Sequence, residues 1–248
     1  MMLSPLLQAI PISEQGISLP YLPGRDDTIA LLLLCCFLLS SYILSRSRKF
    51  LLQLGKDFIM HRERASIFAI SSGTDIRFLL VLILQTCVLA GIYLFVCFSD
   101  LYPEIIHTIP SSFLLAGYIA SCILYLFLKW SIYSMLGWIF FDKGTVDFWM
   151  ESYSTLLYYM GFGLFLSILM VVYLNFSLQN CVIIGLLLLG LVKILMFYKW
   201  IKLFCHNLFG CFLLILYFCV LEISPCIMLY SGLTQLNDFL TIITIVIQ

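Results

Sequence analysis

The sequence predicts an all-α, polytopic integral membrane protein with six transmembrane helices and one cytoplasmic interfacial amphipathic helix. Three observations carry that class. Of the 248 residues, 63% are hydrophobic and 10% charged, against about half and about a quarter in soluble domains, and mean hydropathy is +1.10. The apolar residues fall in separate runs of roughly 20, the length needed to cross a hydrocarbon core. Among the connecting loops, lysine and arginine fall only in alternate ones, and in the tails only Arg25, followed by two aspartates, breaks the pattern, as expected when orientation is fixed by positive charge on the cytoplasmic side. A water-soluble fold of this length could not hide so much apolar surface, and no basic domain points to nucleic acid.

Residues 1–27 read as an irregular extracytoplasmic tail, because Pro5, Pro11, Pro20 and Pro23 forbid a continuous helix. No basic segment precedes the first apolar run, so the start does not read as a secretory signal. The membrane domain is expected over 28–231. Its first span, 28–45, is bounded by Asp26 and Asp27 before it and by Arg46, Arg48 and Lys49 after it. The following segment, "FLLQLGKDFIMHRERASIF", sets Leu51, Leu54, Phe58 and Ile59 on one helical face with basic residues beside them. That spacing predicts an interfacial helix over about 50–70, attracted to anionic lipid; the alternative is a solvated linker extending the first helix.

The second span is expected at 78–98. The third, 111–137, begins after Pro110 and the fourth is 155–174. Between them "WSIYSMLGWIFFDKGTVDFWMESYS" reads as an aromatic-rich interfacial connection, with Asp142, Asp147 and Glu151 as solvated capping residues. "NFSLQN" turns the chain into the fifth span, 181–198. The sixth, 207–230, leaves 232–248 as a short tail. Loops 99–110 and 175–180 contain no lysine or arginine, whereas the three opposite loops do. Six spans with both termini outside satisfy every loop.

Three ionisable residues fall within apolar runs: Lys129, Lys193 and Glu222. Lys129 lies about 27 Å and Lys193 about 18 Å from the outer starts of their spans. Both lysine stems can snorkel to the interface, so both read as topological anchors alongside Arg46, Arg48 and Lys49. Glu222 lies about 22 Å from Asn207, in the outer half and roughly 10 Å in depth from Lys193, too far for a direct ion pair without tilt. Pro225, three residues on, lacks an N–H, frees the carbonyl of Leu221 and predicts a kink. Two readings of Glu222 stand: a carboxylate supporting the kink against other helices, or a proton-accepting or ligand-binding site, with outer-loop His107 as partner.

The catalytic templates are missing: the sequence has no G-x-S-x-G, H-E-x-x-H or phosphate-binding glycine loop. No catalytic residue, cofactor or metal site is expected. The ten cysteines lie mostly in apolar runs without a C-x-x-C pair and read as small hydrophobes. Gly117 with Ser121 and Gly163 with Ser167 have the spacing of close helix packing.

The block "LYFCVLEISPCIMLY", with its Leu-Glu-Ile-x-Pro core at Leu221–Pro225, resembles the closing segment of domain-of-unknown-function family 4271. "LGWIFFDKGTVDFWMESY" is similar in style to that family's middle loop. The resemblance spans most of the chain from Thr28 to Tyr230, and 237–248 falls beyond it. It implies a bacterial inner-membrane protein and an acid-proline motif that matters, and implies no activity. The expected function is a non-enzymatic cell-envelope subunit or assembly partner with a protein partner in the membrane. The alternatives are a small transporter using Glu222 and, behind it, a lipid-modifying enzyme pairing Glu222 with His107.

Overall fold

A computed structural model of the chain describes residues 23–60, 73–102, 109–140, 143–174, 178–204 and 219–247. After a short 3-10 turn at Pro23–Arg25 come α1 (Asp27–Met60), α2 (Gly73–Leu101), α3 (Ser111–Phe140), α4 (Lys143–Tyr173) and α5 (Leu178–Phe204). A π-helical turn at Cys219–Ile223 then leads into α6 (Ser224–Ile247). Helices α1 to α5 are long and apolar enough to cross a membrane. In hydrocarbon a helix satisfies its own backbone polar groups, and no proline falls within these five.

Helices α2 and α4 form the centre. Buried residues make up 61% and 44% of their spans, against 22% in α1, 22% in α3 and 17% in α5. α2 packs most extensively on α3 and α4, α4 also packs on α5, and α6 lies against α3. The peripheral helices present Leu34, Phe37, Phe127 and Leu187 outward, the surface a bilayer would cover. Gly91 lets α2 meet α3 at backbone distance: a Cβ there would stand 2.8 Å from Cα of Ile119 and 2.9 Å from its nitrogen. The small-residue contact expected at Gly117 is not made, since a Cβ there would meet nothing within 4 Å. Gly163 faces the Leu188 side chain of α5.

One end of the bundle is tied together by Asp26. Its carboxylate accepts from the backbone N–H of Thr28 at 2.9 Å, capping α1, and from the Ser111 hydroxyl at 2.9 Å. Phe98 near the end of α2 stacks on Tyr118 near the start of α3, with centroids 5.7 Å apart. Gly24 lies against the carbonyl of Val172 near the end of α4, and Tyr93 donates to the carbonyl of Cys181 near the start of α5. The starts of α1, α3 and α5 therefore share an end with the finishes of α2 and α4.

Three expectations change. The first helix does not stop near Ser45: it bends at Ser47, where φ is −116° and ψ 22°, and continues to Met60. Its apolar face holds Leu51 and Leu54 as expected, but in the described part that face packs on Ile43, Leu79, Leu82 and Tyr158 rather than on lipid. Tyr158 donates to the Leu51 carbonyl at 3.1 Å. The expected connection between spans three and four is mostly helix, with α3 ending at Phe140 and α4 starting at Lys143. Glu151, expected to be a solvated cap, is buried at 6% exposure; Asp142 lies outside the described residues. The residues after 231 are the body of α6, not a tail. Gln235, Asn237 and Asp238 break the apolar run there, but Asn237 is fully buried and accepts from the Tyr118 hydroxyl at 2.8 Å. Residues 205–218, where the sixth span was expected to begin, lie outside the described residues.

Candidate functional site

Tyr118, Tyr125, Lys129 and Tyr133 descend one side of α3, the last three at i, i+4 spacing. They meet α6 and its preceding turn in antiparallel register. Tyr118 pairs with Asn237, Tyr125 with Cys226 at 3.1 Å, and Lys129 with Glu222. Lys193 of α5 comes to the same carboxylate.

Glu222 is completely buried, Lys129 is 3% exposed and Lys193 20%. Both ammonium groups contact Oε2 of Glu222, while the Tyr133 hydroxyl donates to Oε1. Lys193 also donates to the backbone carbonyl of Glu222 at 3.3 Å. The amine of Lys129 sits 5.3 to 5.8 Å from the ring centroids of Tyr125, Tyr133 and Tyr153, within cation–π range. Tyr133 in turn packs on Trp149 and Tyr153, with centroids 5.7 and 5.5 Å away. Buried charge is tolerated only when paired and hydrogen-bonded, and here three donors converge on one carboxylate.

Local winding presents the glutamate. Pro225 stands in the first turn of α6, where a missing N–H costs little. The turn before it is π-wound, and Glu222 belongs to that turn. Such turns occur mostly as single insertions and often at functional sites. Beside Pro225, where a kink freeing the Leu221 carbonyl is expected, the chain takes this π-wound turn, and Lys193 donates to the Glu222 carbonyl within it.

The expected depth of Glu222 is corrected by this geometry. It lies beside Lys129, 18 residues into α3, in the half away from Ser111 rather than in the half expected. The depth count from Asn207 takes 207–230 as the crossing, whereas among the described residues Glu222, Cys226 and Asn237 are the ones that meet α3 in turn, with Glu222 at Lys129. Lys129 and Lys193 turn to this carboxylate instead of snorkelling to an interface. Arg46, Arg48 and Lys49 are exposed around the Ser47 bend. His107 lies outside the described residues. Sequence reasoning missed Tyr133, Tyr153, Tyr125 and Cys226. The Tyr125–Lys129–Tyr133 spacing was the available signal, but aromatic residues at helical spacing are common in any buried helix. Lys199, also buried, holds its amine 4.5 Å from the Phe58 ring centroid.

A family model described as Domain of unknown function (DUF4271) matches residues 29–233. The chain belongs to the DUF4271 family. The match includes Lys129, Lys193, Glu222 and Pro225, and ends within α6. No curated protein and no solved structure matches this DUF4271 chain.

Proposed function

We propose that this DUF4271 protein is a multi-pass component of the bacterial inner membrane, acting as a non-enzymatic cell-envelope subunit or assembly partner. α6 is read as the sixth crossing, and both termini lie outside the cytoplasm. The charge pattern supports that orientation: exposed Arg46, Arg48 and Lys49 lie at the end opposite Asp26, and the loops 99–110 and 175–180 carry no lysine or arginine. The same three residues suit anionic headgroups. The segment after Ser47 follows the bundle into that interface.

The observation that carries the subunit reading is the closure of Glu222. Its carboxylate is fully buried and engaged by Lys129, Lys193 and Tyr133. Such a clasp fastens α6 to α3 and α5 and leaves the carboxylate committed to the fold. Peripheral helices with broad apolar faces remain for neighbours in the bilayer. Native mass spectrometry of the tagged protein, extracted from its own membrane in mild detergent, tests this. A stoichiometric protein partner is expected; a lone protein that turns over a substrate would overturn the reading.

A second reading is a small transporter, favoured by one specific feature. Two lysines share one carboxylate oxygen, and Lys193 keeps one-fifth of its side chain exposed. Such an excess of buried cation suits a site that exchanges a proton or an anion. Under this reading Glu222→Gln abolishes flux in reconstituted vesicles while abundance and melting temperature stay unchanged.

A further inference from the structure

Cys97 of α2 and Cys181 of α5, 84 residues apart in sequence, place their sulfurs 3.8 Å from each other. From this juxtaposition we infer that Cys97 and Cys181 are a reversible dithiol–disulfide site at the Asp26 end of the bundle. Only the statement that this end faces outward rests on the orientation proposed above.

The register that creates the pair is built by the turn beneath it. Tyr93 lies one turn before Cys97 on α2, and Gly185 one turn after Cys181 on α5. A Cβ at Gly185 would stand 2.1 Å from the Tyr93 hydroxyl, so only glycine admits the ring against α5. The hydroxyl then donates to the backbone carbonyl of Cys181. Two helices running in opposite directions and pinned at Tyr93–Gly185 must bring the next turn, Cys97 and Cys181, face to face. The sulfurs need to close from 3.8 Å to the roughly 2.05 Å of a disulfide. Neither thiol is bonded to another cysteine: both are free.

The two cysteines differ in access. Cys181 is fully buried and Cys97 half-buried. Both lie within about a turn of their helix ends, four residues before Leu101 and three after Leu178. Exchange therefore begins at Cys97. Its thiolate attacks a disulfide carrier, a small molecule or protein of general form R–S–S–R, and expels one R–S⁻ that takes up the proton lost from Cys97. Cys181 then attacks the Cys97 sulfur of the mixed disulfide and expels the second R–S⁻, which takes up the proton from Cys181. One S–S bond forms, one is lost, and two electrons pass from the pair to the carrier. A carrier of this class belongs to an oxidising, extracytoplasmic compartment.

The test uses the full-length protein in its own membranes. Cells are quenched in acid, free thiols are blocked, and peptides are mapped with and without prior reduction. The expected result is a Cys97–Cys181 cross-linked peptide that reduction removes and that either Cys97→Ser or Cys181→Ser abolishes. Gly185→Leu should lower its yield while labelling of a control cysteine introduced at exposed Arg25 is unchanged. Isolated membranes exposed to oxidised glutathione give the second arm. A bridge formed there but not in cells supports the pair and overturns the outward orientation. No bridge in either arm, with a control cysteine introduced at exposed Arg25 (Arg25→Cys) converted to its mixed disulfide, overturns the inference.

Discussion

Replacing Glu222 by glutamine keeps the side chain's shape and removes its charge, leaving Lys129 and Lys193 together in a buried site. Two nitrogens hydrogen-bonded to one carboxylate oxygen at about 2.7–2.9 Å each lie about 5 Å apart. At an effective dielectric constant of about 20, two unit positive charges at that spacing repel by about 3 kcal/mol. This agrees with the about 3–5 kcal/mol lost when one partner is removed from a buried ion pair. At about 2–4 °C per kcal/mol for a chain of this size, Glu222→Gln should lower the melting temperature by roughly 6–20 °C. Intrinsic tryptophan fluorescence on the detergent-solubilised protein reads this directly, because Trp149 packs on Tyr133 of the cluster. Removing all three charges at once should behave differently. The combination Lys129→Met, Lys193→Met and Glu222→Leu substitutes apolar contact for the whole ion cluster, a change often neutral or stabilising. Its melting temperature should recover most of the loss. A Glu222→Gln protein that melts within about 2 °C of the parent would refute the clasp, and loss of flux in that stable protein would establish the transporter reading in its place.

Other outcomes follow from the packing. Gly91→Ala should destabilise, because its Cβ would strike the Ile119 backbone, whereas Gly117→Ala meets open space and should be neutral or stabilising by up to about 1 kcal/mol; paired thermal melts check both. Tyr118→Phe leaves the buried Oδ1 of Asn237 without its donor and should cost about 1–3 kcal/mol, while Phe substituted at Tyr173, which is exposed, serves as the control in the same melt. Alkaline phosphatase fused after Gln248 should be active and a fluorescent protein at the same position dark; the reverse pattern would place the C-terminus in the cytoplasm.

Class, family and most helix positions were legible because hydrocarbon imposes a simple demand: long apolar runs, helical throughout, with basic residues between them. The Leu221–Pro225 block likewise marked the family and the glutamate that anchors the candidate site. Hydropathy cannot separate a helix facing lipid from one facing protein, since both are apolar. The face of Leu51 and Leu54 was therefore found without its true partner, and Glu151 was placed in solvent although it is buried.

What the sequence by itself determined is that this chain forms a set of helices long and apolar enough to cross a bilayer, and that Glu222 within an apolar run needs an explanation. Only the tertiary structure decided what that explanation is. Lys129, Lys193 and Tyr133 come from two other helices, 93, 29 and 89 residues away along the chain. Their meeting depends on helix register, and a depth count along a single helix assumes that register instead of finding it. In the folded chain Asn237, beyond the expected sixth span, belongs to α6 and finds Tyr118, while Glu222 in the turn before α6 meets its lysines. A polar side chain inside a membrane protein is penalised only when it lacks a partner, and partners are a property of the fold.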